Sequence, residues 1–225
     1  MEDVGLTIDI RGLSASGHRF AASPLAELAA MLHVLVEPSH HPDRDDWVTA
    51  TRESLDPELD SRLVTAGFLL RSSRADFLLP ARPSTLVSEL DEVDTIDDEA
   101  WVAAALLTTS CGSVPYEPGS PLTDARLRDK VLQRAASRGA QQVTLVSWIL
   151  DAPQAAREWV RQLFEDCDGA FFAKAWTALL PDLVRDARHK RDLLAWHGLD
   201  TAIKEVSPLL GHSAGRLSVD KLQDA

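Results

Sequence analysis

Residues 23–37 read SPLAELAAMLHVLVE, and this stretch decides the fold class. Ser23 offers a side-chain oxygen to the free amides of a first helical turn, and Pro24 takes the first helical position, where its missing N–H costs nothing. Leu25, Leu28, Ala29, Leu32, Leu35 and Val36 then recur at three- and four-residue spacing, the stripe of a helix with one face in a core. Pro38 and Pro42 close it. Outward from this helix the same signals recur. Helices are expected over 45–54 and 57–66, the second opened by Asp56 and Pro57 and stopped by Gly67. Another is expected over 86–93, and one over 96–110 with Thr95 and Asp98 as a capping box and Gly112 at its end. Further helices are expected over 124–137, 142–150, 153–164 and 170–196, Pro181 kinking or restarting the last and Gly198 ending it, and then over 199–206. Between 76 and 84, Pro80 and Pro83 push the residues before them toward extended backbone, so this run reads as a packed connector.

Two segments break the helical period. Val4, Leu6, Ile8 and Ile10 alternate with Gly5, Thr7 and Asp9, a period of two that predicts a strand. After a turn expected at 211–215, residues 217–222 alternate in the same way. A strand there needs a partner, which is either 4–10 or a segment beyond Ala225. The fold class is therefore mainly α, a multi-helix domain with a short N-terminal strand available to a C-terminal one. Three prolines and a glycine in 113–121 mark a hinge that divides 1–112 from 122–225, with one continuous domain as the other reading.

At 225 residues the chain can bury roughly 70% of its extended surface on folding, enough for a sizeable core. A hydrophobic fraction of 45% and a charged fraction of 26% are ordinary for a globular domain. The formal net charge of −12 opposes long-range attraction to nucleic acid phosphates, so any DNA contact by this chain is local or absent. No apolar run approaches the roughly 20 residues that cross a bilayer, and the N-terminus lacks the layout of a signal peptide. A cytoplasmic, non-membrane protein is expected. Cys111 and Cys167 lie far apart without a second ligand at metal or redox spacing, and read as buried small hydrophobes.

Few residues suggest chemistry. His40 and His41 with Asp43, Asp45 and Asp46 form the nearest approach to a metal-ligand cluster, but adjacent histidines in a proline-bounded loop rarely converge on one ion, and no metal is assigned. His189 and His197 share a helix face about 12 Å apart, beyond the reach of one metal. Arg185, Arg188 and Arg191 could make a basic strip, yet Asp182, Asp186 and Asp192 stand one turn away and favour internal ion pairs. No nucleophile elbow, dinucleotide fingerprint or phosphate loop occurs, so neither an enzymatic activity nor a cofactor is expected. The aromatics say more. Trp101, Trp148, Trp159, Trp176 and Trp196 all fall on expected helices, and Trp148, Trp159, Phe172, Trp176 and Trp196 are the residues expected to line an apolar ligand pocket if these aromatics are more than core.

Three stretches also carry a resemblance: SPLAEL at 23–28 leading into MLHVL at 31–35, DFLLP at 76–80, and GRLSVDKLQ at 215–223. They resemble the N-terminal region of actinobacterial ArsR-type winged-helix transcriptional regulators, a helical domain that precedes a C-terminal DNA-binding domain. The resemblance covers nearly the whole chain, and its motifs are fold signatures that transfer no functional residue. It implies an effector-sensing or dimerising region, a homodimer that meets DNA only through a winged helix not in this chain, and a small apolar effector. A stand-alone small-molecule-binding helical module with a Trp-lined pocket is the alternative. The nearest thing to a helix-turn-helix here, 45–66, has an acidic surface.

Overall fold

The computed structural model describes residues 5–12, 17–70, 75–108, 119–207 and 209–220. Contacts divide the chain into two compact units, one of residues 1–22 with 177–225 and one of residues 23–176.

Among the described residues of the unit 23–176, every regular element is helical. Helix α1 is Pro24–Val36, with the Ser23 hydroxyl accepting from the Ala26 amide at 3.1 Å as the sequence predicts. Its stripe Leu25, Leu28, Ala29, Leu32 and Leu35 is wholly buried. Helices α2 (Asp45–Ser54) and α3 (Pro57–Ala66) follow, the latter capped by Asp56. The connector makes a short 3-10 turn, Asp76–Leu78, that buries Phe77 and Leu78. Helix α4 is Leu86–Asp94 and α5 is Asp98–Ala103, which runs into a π-helical turn over Ala104–Thr108. The cap of α5 is Asp97, whose carboxylate accepts from the Ala100 amide at 2.9 Å, and not the Thr95–Asp98 box. Thr95 instead closes α4, its hydroxyl donating to the Glu92 carbonyl at 2.7 Å.

Helices α6 (Ala125–Ala136), α7 (Ala140–Asp151) and α8 (Pro153–Cys167) complete the unit, with a π-helical turn over Asp168–Phe172. Residues 109–118, which hold Cys111 and most of the expected hinge, lie outside the described residues. Helices on both sides of them feed one apolar core, in which Leu28, Leu63, Trp101 and Leu106 are buried together with Leu127, Ile149 and Phe164.

Glu89 is buried completely in this core. One carboxylate oxygen accepts from the Ser23 hydroxyl at 2.9 Å and from the Leu25 amide at 2.8 Å, and the other from the Ser84 amide at 2.7 Å. A carboxylate survives burial when donors replace its water, and here the free amides at the start of α1 do so. The residue thereby ties α4 to the first turn of α1 and to the connector.

In the unit of 1–22 and 177–225, a three-stranded antiparallel sheet has the order β1-β3-β2, with β1 Gly5–Asp9, β2 Leu210–Ser213 and β3 Arg216–Asp220. The expected pairing of the terminal strands is present, with Leu6 opposite Val219 and Ile8 opposite Leu217. The stretch read as a turn at 211–215 is in part a strand, and the turn shrinks to Ala214 and Gly215, both at positive φ, as a tight hairpin requires. Gly215, at φ 71°, would place a Cβ 2.6 Å from Arg11 Cγ and 3.4 Å from its Cα. Gly215→Ala should therefore cost about 1 kcal/mol or more locally. Amide exchange checks this: the Ile10 amide, which donates to the Gly215 carbonyl at 2.9 Å, should exchange at least about fivefold faster.

Helix α9 is Ala173–Lys204, through which the chain passes from one unit to the other. It carries Pro181 without a break, and the residue that leaves helical geometry is Gly198, at φ 81° and ψ 175°. The proline removes one backbone bond on an exposed stretch of the helix.

Candidate functional site

Four of the five aromatics singled out in the sequence lie in the unit 23–176, where they fall into two pairs. Trp148 on α7 meets Trp159 on α8 edge to face at 5.7 Å, a contact made by the short Ala152–Pro153 connection between antiparallel neighbours. Phe172 and Trp176, one turn apart, stack at 5.7 Å. Phe172 is buried, while the other three of these rings are half-buried against the core. Among the described residues no ring contact joins the two pairs. Trp196 belongs to the other unit and is 80% exposed.

The histidine loop is closer to a cluster than its sequence suggests. His40 ends the first of two 3-10 turns after α1 and His41 links it to the second, and both rings approach His33, at 5.9 and 5.2 Å between centroids. His33 points inward and its Nδ1–H donates to the Leu70 carbonyl at 2.8 Å. Among the described residues no group of three or more His, Cys, Asp or Glu could hold a metal ion. In the basic run, Arg185 pairs with Asp182 and Lys190 with Asp186, as the neighbouring carboxylates predict.

The more organised arrangement lies around Trp101. This side chain from α5 is fully buried, with Phe77 stacked on its ring at 5.5 Å and an interplanar angle of 15°. The Arg157 guanidinium from α8 lies 5.3 Å from the centroid of the same indole. Arg157 donates to the Asp94 carbonyl at 3.0 Å and to the Asp98 carboxylate at 2.9 Å, which fixes it against the junction of α4 and α5. Arg161, one turn further along α8, pairs with Asp91 and Glu165 at 2.9 and 2.8 Å and also with Asp94. Burial opposes the Arg161 charge, but its three carboxylate partners outweigh that and hold its pKa above the ordinary value. Between these groups and α1 lies a small cleft of about 10 Å³, lined on most sides by apolar side chains. None of the five expected aromatics lines it.

The DUF5937 family, a family of unknown function, matches residues 4–225. The chain is a member of that family. No curated protein and no solved structure matches it. The cleft of this DUF5937 member therefore has to be read from its own chemistry.

Phe77 and Arg157 had no signal as site residues. Phe77 sits in the packed connector, and Arg157 reads as a surface charge of an amphipathic helix. Trp101 is among the helix-borne tryptophans that the sequence offers either as core or as pocket lining, and nothing in the sequence sets it apart from the other four. Cys167, by contrast, behaves as its isolation predicts: it is a buried free thiol, pushed up to about 12 by desolvation. The thiolate is the reactive form, and below that pH little of it exists in the folded chain. Iodoacetamide at pH 8 should therefore label the Cys167 peptide only after denaturant is added, as read by mass spectrometry.

Proposed function

We propose that this chain is the regulatory region, effector-sensing or dimerising or both, of a bacterial ArsR-like transcriptional regulator whose DNA contacts come from a winged helix outside these residues. The observation that carries the reading is the resemblance of 23–35, 76–80 and 215–223. The first two of these stretches contribute the buried face of α1 and the buried Phe77 and Leu78, and the third supplies strand β3. The net charge of −12 supports DNA contacts made elsewhere. Trp196 at 80% exposure, with Leu179 and Val184 each 41% exposed on the same helix, supports a protein contact along α9. Among the described residues no helix is long and apolar enough to cross a membrane.

Sedimentation velocity and fluorescence anisotropy with duplex DNA test the reading together. The expected result is a concentration-dependent dimer of the chain with no sequence-specific DNA complex of its own. A tight, salt-sensitive and sequence-specific complex between these residues and duplex DNA would overturn it.

A further inference from the structure

We propose that a second cleft of the unit 23–176, between the end of α1, α3 and the start of α7, binds an uncharged polyhydroxylated ring of the class of a single pyranose sugar. The inference rests on the sensing part of the proposed function, to which it gives a polar effector, and is independent of dimerisation and DNA binding.

Room comes first. The end of α1, Arg52 on α2, Val64 and Thr65 on α3, and the first turn of α7 surround a cavity of about 240 Å³ that opens to solvent. Sites for drug-sized ligands begin at about 300 Å³, so this one suits a single small ring. Polar groups form the larger part of its wall. An apolar occupant would strip water from them and return no hydrogen bond, which is unfavourable.

The chain holds these polar groups in place. Gln141 Nε2 donates to the Thr65 hydroxyl at 3.0 Å, and that hydroxyl donates to the Ser61 carbonyl at 2.9 Å. The Gln141 amide is thereby oriented, with its carbonyl oxygen left to accept. The Arg52 guanidinium donates to the Asp60 carboxylate at 3.0 Å and to the Leu35 carbonyl at 2.8 Å, which fixes it and leaves the rest of its N–H fork unused. Next to Gln141 stands the half-buried Gln142, whose amide has no partner among the described residues.

Charge selects the class of ligand. Arg52 is neutralised by Asp60, and the other charged groups of the wall, Glu37 and Arg138, are of opposite sign and both have partners within the chain. An ionic ligand would compete with charges already in place. Hydroxyl groups need no free charge, because each one both donates and accepts. Several of them on one ring can meet the spare guanidinium N–H groups, the Gln141 oxygen and both ends of the Gln142 amide. Val36 and Val64 give the C–H face of a saturated ring an apolar side.

The test is an NMR titration of the isotope-labelled 225-residue chain with D-glucose, D-galactose, D-mannose and D-xylose in turn, with cyclohexanol as a ring that keeps a single hydroxyl. At least one sugar is expected to shift the Gln141 and Gln142 side-chain amide signals saturably and to bind about tenfold tighter than cyclohexanol, the factor that one or two net hydrogen bonds supply. D-Glucuronate and D-galacturonate should bind no tighter than the uncharged sugars. Val64→Trp fills the cleft from a position 48% exposed and should abolish the shifts with the circular dichroism unchanged. If that variant does not fold, Gln142→Ala should weaken binding at least about fivefold. No shift with any of the four sugars at about 30 mM, where a site of about 1 mM affinity is nearly filled, overturns the proposal. Equal affinity for cyclohexanol, tighter binding of a uronate, or binding untouched by these variants overturns it as well. A chain that dimerises yet binds no sugar sinks this inference and leaves the regulator reading standing, and a sugar-binding chain that grips duplex DNA by sequence does the reverse.

Discussion

Glu89→Ala is expected to destabilise the chain by about 3–5 kcal/mol, read as a lower denaturation midpoint and a fall in Tm of roughly 10 °C. The variant strips the acceptor from the Ser23 hydroxyl and from the Leu25 and Ser84 amides at one stroke, all three lying where α1, the connector and α4 converge. Part of the loss is electrostatic, since the carboxylate faces the positive end of α1. Glu89→Gln keeps the shape but replaces one acceptor with an amide that can only donate. It should cost about half as much. If Glu89→Ala fell within about 1 kcal/mol of the parent, water would have to reach these donors, and the account of this carboxylate as the acceptor that holds Ser23, Leu25 and Ser84 would fail.

Trp101→Ala should cost about 4 kcal/mol, within the range for deleting a buried aromatic. Three separable losses are folded into that figure: the cavity, the stacking of Phe77, and the face on which Arg157 rests. A double-mutant cycle with Arg157→Met isolates the third. Once the indole is gone, removing the guanidinium should be about 2 kcal/mol less damaging than in the parent, the size of a desolvated cation–π contact. Additive losses would show that Arg157 is held by Asp94 and Asp98 alone.

These residues also mark how far the sequence can be read. Helix starts were legible wherever the signal is local: Ser23 with Pro24, Asp56 with Pro57, and Pro153 each place a helix within a residue of its observed start. The Thr95–Asp98 box misled because Asp97, two residues after Thr95, offers a better placed carboxylate to the Ala100 amide. Strand β2 was missed because Leu210–Ser213 carries no alternation of its own, and its conformation is set by pairing with β3. Pro181 was given more weight than one missing bond deserves. The pairing of the terminal strands was legible because both have a period of two. The Trp101 cleft was not, because Phe77, Trp101 and Arg157 come from three elements far apart in the chain, and nothing around any one of them announces the other two. The tryptophan count pointed to aromatic clusters, but residue type alone could not say which indole would lack a partner.

The sheet that joins Gly5–Asp9 to Arg216–Asp220 sets an order of events during synthesis. Strand β1 leaves the ribosome first and must wait, unpaired, for almost the whole chain to follow. Residues 23–176 hold their own core and can condense meanwhile, domains on a growing chain folding as units. Closing the sheet then joins segments of very high sequence separation, the kind of contact that slows folding. The waiting strand is shielded from stray edge pairing by its shortness and by Gly5 and Asp9 at its ends. Maturation of this protein should thus proceed in two stages, an early helical body and a late sheet, with nascent chains stalled before Arg216 already folded over 23–176 and still open at β1.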